Sequence, residues 1–114
     1  MQPVSALSNC FPLATSEGTY YLCPDEIIRL KACSNYTTIY CSNKKKIVSA
    51  RVLKEFVQLL TPFGFVRTHR THLVNRRHIL CITPGGQVIM KDASVAEVSK
   101  RMRQSVKQTL QSAA

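Results

Sequence analysis

The chain has 114 residues, 45% of them apolar, with 16 Lys and Arg against 6 Asp and Glu, for a formal charge of +10. That length suits one domain able to bury its own core, and the apolar share excludes a disordered chain, which needs low hydrophobicity together with high charge. No run nears the roughly 20 apolar residues of a membrane span, and Met1-Gln2-Pro3-Val4 lacks the basic and apolar regions of a secretory signal, so a soluble cytoplasmic domain is expected.

Residues 1–18 mix Pro, Ser, Asn and Thr with scattered apolar residues and are expected to be an extended lead-in or linker. Thr19–Cys23 is rich in β-formers and stops at Pro24, which predicts a first short strand. In Ile27–Cys33, Ile28, Leu30 and Ala32 alternate with Arg29, Lys31 and Cys33, the pattern of a half-buried strand. Ser34-Asn35 predicts a turn, Tyr36–Ser42 a further strand, and Asn43–Lys46 a hairpin tip leading into a short strand at Ile47-Val48.

The period then changes. Val52, Leu53, Phe56, Val57 and Leu60 make one helical face, with Ser49 as the expected cap and Pro62 and Gly64 as the stop. His69–His78 reads as a polar loop, and Pro84-Gly85-Gly86 joins two strand-like runs as a hairpin. Val95, Val98, Met102, Val106 and Leu110 predict a second helix. Its start is ambiguous: Ser94 with Glu97 fits a capping box, while Ser99 is the alternative cap.

Charge is spread unevenly along the chain. Residues 1–28 carry −3 and residues 29–114 carry +13, a field that attracts polyanions, nucleic acid first among them. The five cysteines are odd in number and lack metal-type spacing, so reduced thiols are expected, with Cys33, Cys41 and Cys81 acting as small buried hydrophobes.

The densest segment is Phe65–Ile79, with Arg67, Arg70, Arg76, Arg77, all three histidines and Asn75. Arginine's rigid fork suits phosphates and the guanine edge, and His and Asn serve either contact. The bland alternative is a basic loop whose histidines are satisfied internally. The H-x2-H-x5-H spacing, with Cys81 two residues on, matches no usual zinc pattern, so no metal or other cofactor is expected. With six acids in all, no nucleophile has a visible orienting carboxylate, and Gly85-Gly86 is no phosphate loop, so catalysis is not expected. After Glu97 the chain has no acid. The run Ser99–Lys107 is uniformly positive, which favours a polyanion contact over a salt-bridged surface helix.

FVRTHRTHLVNRRHI resembles the central motif of the LytTR family of DNA-binding output domains, through Phe65, Arg67, His69, Arg70, Thr71, Leu73, Val74, Asn75 and Ile79. Ile27–Tyr36 is similar to the family's strand and turn, and Val98-Ser99-Lys100-Arg101 to its V-S-R-R segment. The resemblance implies a mainly β fold: short antiparallel strands in small sheets, one short amphipathic helix in the middle and a C-terminal helix. The domain would occupy residues 19–112. It implies sequence-specific binding of double-stranded DNA by loops on direct-repeat sites, as the output of a bacterial two-component response regulator. Partners implied are DNA, a homodimeric mate on DNA and a receiver domain ahead of it in the native protein.

By position, Asn35, Tyr36, Lys100 and Arg101 would face bases in major grooves, and His69 and Arg70 would hold the backbone between them. Arg76, Arg77 and Lys44 would add long-range attraction, and Ser99 would cap the last helix. Two departures stand out: Lys100 replaces the family's usual Arg, and Ser34 a glycine in the turn.

Overall fold

The period-2 alternation of residues 27–41 sets the centre of the molecule. The computed structural model describes residues 10–111. Strands β3 (Ile27–Cys33) and β4 (Tyr36–Cys41) pair antiparallel in the middle of a five-stranded sheet. β5 (Lys46–Ser49) flanks β4 at one edge. On the other side β7 (His72–Asn75) pairs with β3, and β6 (Phe65–His69) closes the sheet, in the order β5-β4-β3-β7-β6.

One face of this sheet buries Leu30, Ile39, Ile47, Leu73 and Phe65 against helix α1 (Leu53–Leu60), which contributes Leu53, Phe56 and Leu60. The hairpin of β1 (Phe11–Thr15) and β2 (Gly18–Leu22) completes this core with Leu13 and Leu22. Over part of the opposite face lies a three-stranded sheet of β8 (Ile79–Ile82), β9 (Gln87–Met90) and β10 (Val95–Glu97), in the order β10-β9-β8. It packs with helix α2 (Arg103–Gln111) on Ile28, Val66 and Val74, burying Val88, Met90, Ala96, Val98 and Val106. The fold is mainly β in small antiparallel sheets with two helices, as expected.

Several local expectations are corrected. Strand β1, with Leu13 fully buried, lies inside the stretch read as a lead-in, because pairing with β2 makes a strand of a short run, Phe-Pro-Leu-Ala-Thr, that has no alternation of apolar and polar residues to reveal it. Residues 1–9 of that stretch, and residue 112 at the other end, lie outside the described residues. Ser49 does not cap α1. It ends β5 opposite Thr37, fully buried, and its hydroxyl accepts from the Arg51 amide, while Val52 holds the cap position. Pro62 sits in a single 3-10 turn, Thr61–Phe63, and Gly64 at φ 91° ends it, a conformation that favours glycine.

The expected loop His69–His78 holds a strand at its centre: Arg70-Thr71 turn between β6 and β7, all four β7 residues are buried, and Arg76–His78 make a 3-10 turn capped by the Asn75 side chain. Cys10 and Cys23 form a disulfide across the ends of the first hairpin rather than standing reduced. Of the three free cysteines only Cys41 is buried; Cys33 and Cys81 face outward, each on the solvent side of its strand. Ser94 is not a helix cap either. It precedes β10, donates to Asp92 and accepts from Arg29 Nε. Ser99 caps the last helical segment by accepting from the Met102 amide, through a 3-10 turn, Lys100–Met102, that runs into α2.

Candidate nucleic-acid interface

Antiparallel pairing brings three separate segments to one end of the five-stranded sheet. The β3–β4 connection is two residues long, Ser34 and Asn35, with Cys33 opposite Tyr36. Ser34 takes φ 56°, a left-handed conformation that glycine adopts without strain and serine does not, so the loop is held stiffly. Asn35 and Tyr36 project from it, both exposed.

β7 runs back beside β3 with His72 opposite Lys31, and the Ala32 amide donates to the Thr71 carbonyl at 2.8 Å. This ties the His69-Arg70-Thr71 turn to the base of the Asn35 turn. On its other flank, the Ser99 amide donates to the Thr68 carbonyl at 2.9 Å, and the Thr68 hydroxyl donates to the Glu97 carbonyl at 2.9 Å. The start of the last helical segment, with Lys100 and Arg101 exposed, is thereby stapled to the same turn. A continuous chain of hydrogen bonds thus runs Ala32–Thr71 and Thr68–Ser99 across the rim.

Within the rim, side chains are preset. His69 Nδ1 accepts from the Thr71 amide at 3.2 Å, with the Thr71 hydroxyl 2.9 Å away. An Nδ1 that accepts leaves the proton of the neutral ring on Nε2, a donor. Arg67, which the dense basic motif suggested as a phosphate ligand, turns inward and is half-buried. Its Nη2 donates to the Arg70 carbonyl at 2.8 Å, so it holds the turn from below. This positioning role was missed because an arginine's direction depends on which face of the strand it occupies. Arg70, Lys100 and Arg101 make no side-chain hydrogen bond or ion pair among the described residues, which leaves their donors free.

His72 lies behind the rim, its ring edge-on to His69 with centroids 5.7 Å apart. It is buried, and its Nδ1 has no hydrogen-bond partner. Burial, with the nearby Arg29 guanidinium and, to a lesser degree, the neighbouring His69 and Lys31 adding to it, lowers its pKa to about 4, so the ring is neutral at ordinary pH.

The remaining predicted residues are elsewhere. Arg76 and Arg77 follow β7 at the opposite end of the sheet, as does Lys44 in the β4–β5 turn, a strand length of about 17–20 Å away. There Arg77 pairs with Asp25 at 3.0 Å, and Arg76 Nη2 donates to the Thr109 carbonyl at 2.8 Å near the end of α2. His78 Nε2 contacts the Asp25 carbonyl at 3.0 Å. Asn75 is buried and structural: it donates to the Pro24 and Ile27 carbonyls and accepts from the Arg77 amide. The three histidines are therefore split between the two ends, and among the described residues no group of three His, Cys, Asp or Glu gathers to hold a metal ion. Nor, among them, is any helix long and apolar enough to cross a membrane.

A mainly β domain with unpaired cations and polar side chains on one stapled rim offers a surface suited to a polyanion. The family model for the LytTr DNA-binding domain matches residues 17–111, and the chain belongs to that family. Its fold is similar to the solved LytTr DNA-binding domain of a putative methyl-accepting/DNA response regulator from Bacillus cereus, with a TM-score of 0.78 at 24% identity over 90% of this chain and 96% of that one. No curated protein sequence matches the chain significantly.

Proposed function

We propose that this chain is the sequence-specific, double-stranded DNA-binding output domain of a bacterial response regulator, acting on transcription without catalysis of its own. The observation that carries this reading is the rim itself: Asn35 and Tyr36, His69 and Arg70, and Lys100 and Arg101 come from three distant parts of the chain and are joined there by main-chain hydrogen bonds. Rigid display of donors is what base reading needs, since each discriminating contact depends on geometry. The two outer segments, the Asn35 turn and the Lys100-Arg101 turn, suit successive major grooves. His69, with its donor Nε2, and Arg70 suit the phosphates between them.

In this reading the domain works in the cytoplasm, with a second copy beside it on direct-repeat sites and a receiver domain ahead of it in the native protein. Selection of sites from a random duplex pool at about 150 mM salt tests it, because unspecific attraction is screened there over about 8 Å. Recovery of a short motif repeated about one helical turn apart is expected. Unbiased recovery would reduce the domain to a sequence-indifferent nucleic-acid binder or a basic protein-interaction module. Affinity for the selected site is expected to fall roughly 10³–10⁵-fold between 50 and 200 mM salt, for about 6–10 phosphate contacts.

A further inference from the structure

Away from the rim, the three-stranded sheet ends in an edge strand that carries no charge and, among the described residues, pairs with no further strand. Edge strands expose unpaired main-chain donors and acceptors, and proteins protect them with charge, proline or a covering element. The other edges of the two larger sheets follow that rule. β5 carries Lys46, β10 carries Glu97, and β6 carries Arg67 and lies under α2. β8 is the remaining edge: it is four residues long and irregular between Ile79 and Cys81, which shortens the pairing it can offer, but its sequence, Ile-Leu-Cys-Ile, has neither charge nor proline. Leu80 is 64% exposed and Ile82 40% exposed.

This edge borders a groove of about 550 Å³ between the sheet and α2, within the range of about 300–1,000 Å³ typical of binding clefts. Its apolar wall is Ile82, Pro84, Val98, Val106 and Leu110. Ile82 stands opposite the buried Val88, so it faces the side of the sheet on which α2 packs. Arg103 and Lys107, one helical turn apart, provide the groove's charge, and no acid lines it. Arg103 is held there: its Nη2 donates to the Gly85 carbonyl at 3.2 Å, and a Cβ on Gly86 would lie 2.5 Å from the same nitrogen, so glycine is needed for the guanidinium to lie against the hairpin tip.

We propose that β8 and this groove form a docking site for an extended protein segment that carries apolar and acidic residues together at every second position, on one face of the strand it forms. The segment adds as a fourth strand to β8, its main chain pairing with the free edge. Every second side chain then enters the groove, where the apolar ones lie beside Ile82, Val106 and Leu110 and the carboxylates among them meet Arg103 and Lys107. A second copy of this chain is the weaker occupant. Two-fold pairing of β8 with itself would bring the same positive groove rims together on both sides, in a chain that already carries +10.

The test uses the whole chain and a synthetic peptide of about ten residues in which valine and glutamate take turns at every second position with threonine between them, long enough for a typical strand. Saturable amide shifts are expected at Leu80–Ile82 and along Val106–Leu110, with a Kd below about 1 mM. The lysine counterpart of the peptide should bind at least tenfold more weakly. Ile82→Lys, which gives the edge the charge it lacks, should abolish binding while leaving affinity for DNA unchanged. Should that variant fail to fold, Lys107→Glu at an exposed helical position carries the same test through a weakened response to the glutamate peptide. The proposal is overturned by absence of shifts at millimolar peptide or by equal binding of the lysine peptide. It is also overturned by concentration-dependent broadening of the β8 amides without peptide, which would assign the edge to a second copy.

Discussion

The two ends of the five-stranded sheet are both rich in basic residues, yet they use them oppositely. At the Asn35 end, Arg70, Lys100 and Arg101 stand free, and the groups behind them, Arg67, Thr68 and Thr71, spend their hydrogen bonds on holding the turns. At the Asp25 end both arginines are engaged, Arg77 by Asp25 and Arg76 by a carbonyl of α2, and the chain around them is held by the buried Asn75, with Lys44 left exposed on a turn. A count of arginines in FVRTHRTHLVNRRHI cannot separate the two, because the strand β7 that lies between Arg70 and Arg76 carries them to opposite ends. Free donors on a braced frame, rather than charge density, distinguish an interface from a structural cluster.

This contrast breaks most visibly through Asn75. Asn75→Ala removes three buried or half-buried hydrogen bonds, those to the Pro24 and Ile27 carbonyls and that from the Arg77 amide, and is expected to cost about 2–4 kcal/mol in chemical denaturation. A loss below about 0.5 kcal/mol would mean the Asp25 end is not the structural one.

The next effect is pH. His72 is neutral when folded, with a pKa of about 4 against 6.5 when unfolded. The unfolded chain therefore binds the proton first. Stability should be full above pH 6.5, fall by up to about 3 kcal/mol as pH drops towards 4, and level off below that. His72→Gln should flatten that slope in unfolding curves taken across the range.

On DNA, Arg101→Ala is expected to cost about 1–3 kcal/mol on a selected site and to relax base preference there, whereas Lys44→Ala should weaken all sequences alike. Arg77→Ala, whose exposed ion pair with Asp25 is worth roughly 0–1 kcal/mol, should change neither specificity nor fold appreciably. Equal losses for Arg101→Ala on selected and random duplexes would remove that residue from the reading set and erase the difference between the ends. Ser99→Ala is expected to cost about 1 kcal/mol of stability from the lost cap, with an added loss in DNA affinity because the cap holds the Lys100-Arg101 turn.

Much of this was legible in the chain itself. The alternation of Ile28, Leu30 and Ala32, the spacing of Leu53, Phe56 and Leu60, and the turn residues at Ser34-Asn35 and Pro84-Gly85-Gly86 determine local structure because side-chain period and backbone freedom are local properties. The family was legible for the same reason, since its motif is a contiguous run. Tertiary structure decided the rest. β1 is a strand because β2 pairs with it, Ser49 ends a strand because Thr37 lies opposite, and Cys10 meets Cys23 because the hairpin closes. It also decided that Arg67 braces the rim while Arg70 tops it, and that Arg76 and Arg77 leave the rim altogether. Each of these outcomes depends on which residue lies across a sheet or at the far end of a strand, and antiparallel pairing between distant segments sets that partner, which no local pattern contains.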